Sequence, residues 1–172
     1  LSYIAVVHEA PKQVDKPAAA AGLVYTGTPQ AGVPDGEGYT LSVVPGGTNA
    51  GQYVAVATLE EGYEWSDGTS EPVTIAWEIA KAQLVATYTD EEVAANGTPE
   101  LAVTVTGFVN GETAATARDF SAPRVNAPAS LTAGESYTLT PEGGSALNYD
   151  FDYRSGTLTV TESIDGSGLG AG

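Results

Sequence analysis

The chain has 172 residues, no cysteine and no methionine, with 22 acidic against 6 basic side chains and a formal net charge of −16. Without thiols, disulfides, thiolate metal sites and thiol nucleophiles are excluded. So acidic a composition also excludes unaided binding to nucleic-acid phosphates or anionic lipid, which need clustered Lys and Arg. A hydrophobic share of 42% still supplies enough apolar side chains for a packed core.

In chain order, Ile4-Ala5-Val6-Val7-His8-Glu9 reads as the tail of a preceding module. Lys16 to Gly22 is alanine-rich but too short to repay helix nucleation. Tyr39 to Val43 alternates apolar and polar side chains, the period of a half-buried strand. A longer strand is predicted from the Asn49-Ala50-Gly51 turn through Leu59, and Gly62-Tyr63-Glu64-Trp65 follows it. Val73 to Ile79 alternates most clearly, with Val73, Ile75, Trp77 and Ile79 on one face and Thr74, Ala76 and Glu78 on the other. Leu84–Tyr88, Leu101–Thr106, Tyr137–Thr140 and Thr157–Thr161 are further strands, rich in the Thr and Val that suit pleated surfaces. Pro45-Gly46-Gly47, Ser66-Asp67-Gly68, Asn96-Gly97, Asn110-Gly111, Glu142-Gly143-Gly144 and Ser155-Gly156 supply the turns between them. Glu112 to Ala117 is expected to make one helical turn. The fold class is all-β.

The two halves repeat one order of features. An Ala-Gly turn with a tyrosine just inside the next strand (Ala50-Gly51-x-Tyr53, Ala133-Gly134-x-x-Tyr137) comes first. A Tyr-x-aromatic pair (Tyr63-x-Trp65, Tyr149-x-Phe151) and a closing Thr/Val/Ile strand follow. Such repetition implies two tandem modules. The expected organisation is a tail or linker over 1–12, a first module over 13–82, a second over 83–163, and a flexible Gly-rich linker over 164–172. No Gly/Ser linker separates the modules, so a stiff connection is expected. Leu1 in place of an initiator methionine and the Gly-rich end suggest an internal or processed piece of a longer chain.

These motifs carry a resemblance. Gly22-Leu23-Val24-Tyr25-Thr26-Gly27-Thr28-Pro29, Thr48-Asn49-Ala50-Gly51-x-Tyr53, Gly62-Tyr63-x-Trp65-Ser66-Asp67-Gly68 and Ile75-x-Trp77-x-Ile79-Ala80-Lys81-Ala82 resemble tandem bacterial Ig-like repeats of Gram-positive cell-surface proteins. Gly97-x-Pro99-x-Leu101-x-Val103-x-Val105, Ala133-Gly134-x-x-Tyr137-x-Leu139-x-Pro141 and Gly156-Thr157-Leu158-Thr159-Val160 are similar to the MBG ("mostly beta, glycine-rich") domains of such proteins. The second half departs from the usual Tyr-Gly pair, with Asn96 in place of the tyrosine. The resemblance implies two small Ig-like β-sandwich modules, with a β-grasp-like arrangement as the alternative for the second. It also implies a secreted, wall- or membrane-attached stalk or adhesin and carries no catalytic residues.

The residues themselves offer little chemistry. His8 is the single histidine, so no catalytic triad or zinc site has its usual complement. Asp90-Glu91-Glu92, Glu60-Glu61 and the same-face pair Asp150 and Asp152 lack the spacing of a calcium loop and read as solvated carboxylates. Lys12, Lys16 and Lys81 are the lysines available for an isopeptide cross-link, and Lys81, at the module junction, has no evident asparagine partner in sequence. Trp77 falls in phase with the core. Tyr63 and Trp65, beside a turn, are the candidate ligand-binding residues, since flat aromatic faces stack on sugars. No enzyme activity, metal or cofactor is expected. The expected function is a non-catalytic spacer or stalk, with a glycan- or host-protein-binding adhesin module as the alternative. Expected partners are neighbouring repeats of the same parent chain and a host glycan or protein, with no nucleic acid and no membrane insertion. The expected state is a monomer at the surface of a Gram-positive bacterium.

Overall fold

The computed structural model describes residues 2–5 and 8–164. The expected linker over 164–172 therefore lies, beyond Ile164, outside the described residues, as do Val6 and Val7 of the N-terminal segment. Two compact units divide the chain between Ala80 and Lys81. Among the described residues there is no helix; the fold is all-β, as the alternation predicts, and of the sandwich type that the resemblance implies. The Glu112–Ala117 segment contributes one turn of helical character, with Ala117 N donating to Thr113 O at 2.8 Å.

Unit 1 contains β1 (Lys12–Val14), β2 (Gln30–Ala31), β3 (Tyr39–Val43), β4 (Gly46–Gly47), β5 (Gly51–Leu59), β6 (Tyr63–Trp65) and β7 (Val73–Ile79). Its main sheet is antiparallel in the order β3-β5-β7. β1 pairs in parallel with β6, β2 pairs with β4, and an isolated parallel bridge joins Val24 to Ala80. The inward set of β7 (Ile75, Trp77 and Ile79) is buried with Ala55 and Ala57 of β5, Tyr25, Val33 and Trp65. Trp77 stacks on Tyr53 at 4.4 Å between ring centroids, and its indole N–H donates to Val44 O at 2.7 Å. The backbone of Gly32 lies so close to the indole that a Cβ there would overlap it.

β3 departs from its alternation at one residue. Val43 is expected to face inward with Tyr39 and Leu41, but it has φ 68° and a side chain 67% exposed. The left-handed backbone turns it out of the sheet, at a conformational cost that is high for a β-branched residue.

Unit 2 contains β8 (Ala82–Tyr88), β9 (Glu91–Ala94), β10 (Val103–Thr106), β11 (Ser136–Leu139), β12 (Tyr149–Arg154) and β13 (Gly156–Thr161). Two three-stranded sheets result, in the orders β10-β8-β12 and β11-β13-β9. Tyr88, Val125 and Leu158 form a buried cluster with Val93, Leu101, Val103, Leu131, Tyr137 and Leu139 packed around it. Full burial of a side chain such as Leu158 contributes about 1.5–3 kcal/mol.

Both sheets are mixed, because β12 pairs with β8 and β13 with β9 in parallel. Tyr149 opposite Ala82 and Leu158 opposite Glu91 are both 67 positions apart, so the register does not slip between the sheets. The opening segment of unit 2 (82–94) and its closing segment (149–161) thus form one parallel ladder bent in the middle. At the bend the Asp90 carboxylate accepts the Thr157 N–H at 2.7 Å. Gly156 is required there, because a Cβ would overlap the Tyr88 carbonyl. Periodicity reveals a strand's buried face but not its partner, so this parallel pairing has no signal in the alternation.

Candidate functional site

Tyr63 and Trp65 lie on β6, held against β1 by the register Lys12↔Tyr63 and Val14↔Trp65. Trp65 is 0% exposed, its indole N–H donates to Glu71 O at 2.8 Å, and Tyr39 packs against its ring at 6.0 Å. Its faces are therefore enclosed in the core of unit 1. Tyr63 is half-buried; its hydroxyl donates to Glu37 Oε1 at 3.0 Å, and Lys12 Nζ lies 5.9 Å from its ring centroid. The hydrogen bond to Glu37, then burial, then the charges of Glu37 and Glu60 raise the hydroxyl pKa above that of an ordinary tyrosine. Gly38 lies against the ring so closely that a Cβ would overlap it. The pair predicted from sequence is thus divided between core and rim. Only Tyr63 reaches the surface, among Lys12, Glu37 and the Gln13–Glu64 hydrogen bond.

Several carboxylates are committed to the backbone and to neighbouring side chains. Glu91 Oε1 accepts the Tyr88 hydroxyl at 2.8 Å and the Leu101 N–H at 2.9 Å, while Oε2 accepts the Glu100 N–H at 3.0 Å. Burial works against its ionisation, but these bonds outweigh it and hold its pKa below the usual glutamate value. The Tyr88 hydroxyl is pushed well up by burial, by that bond and by the charges of Glu91 and Asp90. Leu101, at φ 56°, sits in the left-handed region beside this network. Glu112 accepts from the Tyr149 hydroxyl, which itself accepts the Val109 N–H at 3.1 Å. In unit 1 Asp67 is held well below the usual carboxylate range by Lys16 at 2.6 Å, then by Thr69. Asp152 pairs with Arg154.

The repeated tyrosines have a common purpose. The Tyr53 hydroxyl donates to Asn49 O at 2.6 Å, and the Tyr137 hydroxyl donates to Ser130 O and accepts the Thr132 N–H, both at 3.3 Å. Each hydroxyl reaches back to tie the turn preceding its strand. Asn96, which replaces the expected tyrosine, exchanges two hydrogen bonds with the backbone of Ile164, at 2.9 and 3.1 Å. His8 is exposed, and Lys81 Nζ donates to Ala146 O at 3.1 Å. Among the described residues no three His, Asp or Glu side chains gather as a metal site, and no buried side-chain polar atom lacks a partner. Among them no helix is long and apolar enough to cross a membrane.

Sequence reasoning did not find two grooves. One, of about 750 Å³, lies in unit 1 between the Ala19–Val24 segment and the β5–β7 sheet. The other, of about 440 Å³, lies in unit 2 between β10 and the loop carrying Phe108, Glu112 and Phe120. The first has no linear signature because its lining comes from three separated stretches, 19–24, 52–54 and 76–80; the second is lined by one stretch, 103–123, whose folding back on β10 has no signal in the alternation.

Unit 2 is a small all-β module whose ionisable groups brace its own backbone. Residues 84–159 match the MBG domain family, YGX type, so this unit contains an MBG-type domain. No curated protein and no solved structure matches the chain.

Proposed function

We propose that the chain supplies non-catalytic spacer modules to a bacterial cell-surface protein, carrying tension between whatever precedes and follows them. The observation that carries this reading is the bent parallel ladder of unit 2 between 82–94 and 149–161. Opening and closing strands that run side by side in the same direction are loaded in shear when the ends are pulled. All their hydrogen bonds then resist together instead of opening one by one. The MBG match supports the surface-protein setting, and the commitment of Glu91, Asp90 and Glu112 to structural hydrogen bonds supports the absence of catalysis. The Gram-positive origin and the tandem arrangement with further repeats belong to the same proposal and rest on the resemblance of the sequence motifs.

Single-molecule pulling of the whole chain by its ends tests this reading. Unit 2 is expected to rupture in one step, releasing about 280 Å of chain for residues 82–161 at ~3.6 Å per residue. Gradual extension at low force would overturn the reading. The adhesin alternative places a ligand at Tyr63, because Trp65 is enclosed. It requires glycan or protein binding that Tyr63→Ala abolishes while the chain still unfolds cooperatively.

A further inference from the structure

The closing strands of the two units differ at one edge. In unit 2, β13 lies between β11 and β9, so both of its edges are paired. In unit 1, β7 has β5 on one side, while the other side is covered only where Val24 bridges Ala80. Hydrogen-bond parity identifies the groups left over. Ala80 donates to Leu23 O at 2.8 Å and accepts from Tyr25 N at 2.9 Å, so even-numbered residues of this strand point away from β5. The bond from Val44 N to Val54 O agrees, because it turns the even residues of β5 toward β3 and the odd ones toward β7. Thr74, Ala76 and Glu78 therefore direct their N–H and C=O groups to the outer edge. Among the described residues no backbone group pairs with them there.

The 750 Å³ groove opens on this edge. Its walls are the Ala19–Val24 segment and Ala76–Ala80, and Gln52 and Val54 extend it over the outer face of the sheet. Val24 and Val54 are 45% and 42% exposed, which leaves apolar surface in the groove. Gly22, at φ 70°, turns the wall segment so that it meets β7 only at the Val24 bridge. The position that β9 fills in unit 2 is thus an open slot in unit 1.

We infer that this slot binds an extended, cationic segment of a partner protein, added as a strand along β7. Exposed strand edges bind chains in this way, with main-chain hydrogen bonds for affinity and alternate side chains for selectivity. Charge selects the occupant. Unit 1 has ten acidic residues against Lys12 and Lys16, and both lysines are engaged elsewhere, at Tyr63 and Asp67. Glu78 is the charged side chain of the groove. A second copy of the chain would bring another strongly acidic surface to this edge, whereas a strand with alternate Val or Ala and flanking Lys or Arg matches both charge and floor.

The test uses the whole chain and the blocked heptapeptide Lys-Val-Thr-Val-Thr-Val-Lys, labelled for fluorescence anisotropy at low salt. The control is the same peptide N-methylated at alternate residues, in two versions covering either edge. Saturable binding is expected. One N-methylated version should bind at least about tenfold more weakly, since two or three hydrogen bonds are removed. Ala76→Pro should weaken binding similarly while preserving the fold, because the Ala76 N–H points away from β5 and an edge proline removes no ladder bond. Glu78→Gln should weaken it by about two- to fivefold at low salt. The Ala76 and Glu78 amides should gain protection from hydrogen exchange when the peptide binds. Absence of saturable binding overturns the inference, as does equal binding by both N-methylated peptides, since charge alone would then explain the complex. The N-methylated arm uses unmodified protein and decides the matter even if Ala76→Pro fails to fold.

Discussion

Glu91 shows how a residue from an acidic run can become structural. In Asp90-Glu91-Glu92 it has the look of a solvated carboxylate, yet three donors converge on it. Glu91→Gln is expected to cost about 1–2 kcal/mol at pH 7, read from the shift of the urea midpoint. Because its folded pKa is lowered, the stability it contributes is present above the unfolded value of about 4.3 and is lost as pH falls through the folded value. The gap between wild type and Glu91→Gln should therefore narrow toward pH 3; a constant gap would contradict the network. Trp77 is the opposite case, since its alternation with Ile75 and Ile79 shows its burial directly from sequence. What the alternation cannot show is the Gly32 backbone lying on its indole. Gly32→Ala should destabilise unit 1 by about 1–3 kcal/mol through overpacking, and a thermal midpoint within a degree of wild type would contradict that contact.

At the scale of elements, strands are legible because one-sided burial imposes a period of two, as in β7 and β8. Their partners are not, because β8 and β12 are far apart in sequence and pair in parallel. The Ala-Gly-Tyr repeat is visible as a pattern, whereas its physical reason, a hydroxyl bonded back to the turn, depends on how the turn folds over the strand. Val43 marks the limit of the period-two reading, since its left-handed φ puts an apolar side chain outside. Asn tolerates that region better and loses little by exposure. Val43→Asn should therefore stabilise unit 1 by about 0.5–1 kcal/mol in urea unfolding. Destabilisation would show that Val43 makes a packing contribution larger than its strain.

At the scale of the whole molecule, the absence of cysteine leaves each unit to be held by packing and hydrogen bonds alone. Small domains commonly need reinforcement, and unit 2 has it in the bent ladder that joins its first segment to its last. The net charge of −16 keeps the surface solvated and sets the sign of any partner at the open edge of unit 1. The proposed spacer role depends on load direction, and the most direct measurement compares two pulling geometries on the same chain. One applies force through the ends, shearing the 82–94 ladder along 149–161. The other applies it between the N-terminal end and a linkage at Asn110, in the loop after β10, leaving that ladder outside the direct load path. The predicted result is a single rupture of unit 2 at clearly higher force through the ends; equal forces in both geometries would contradict a load-bearing ladder.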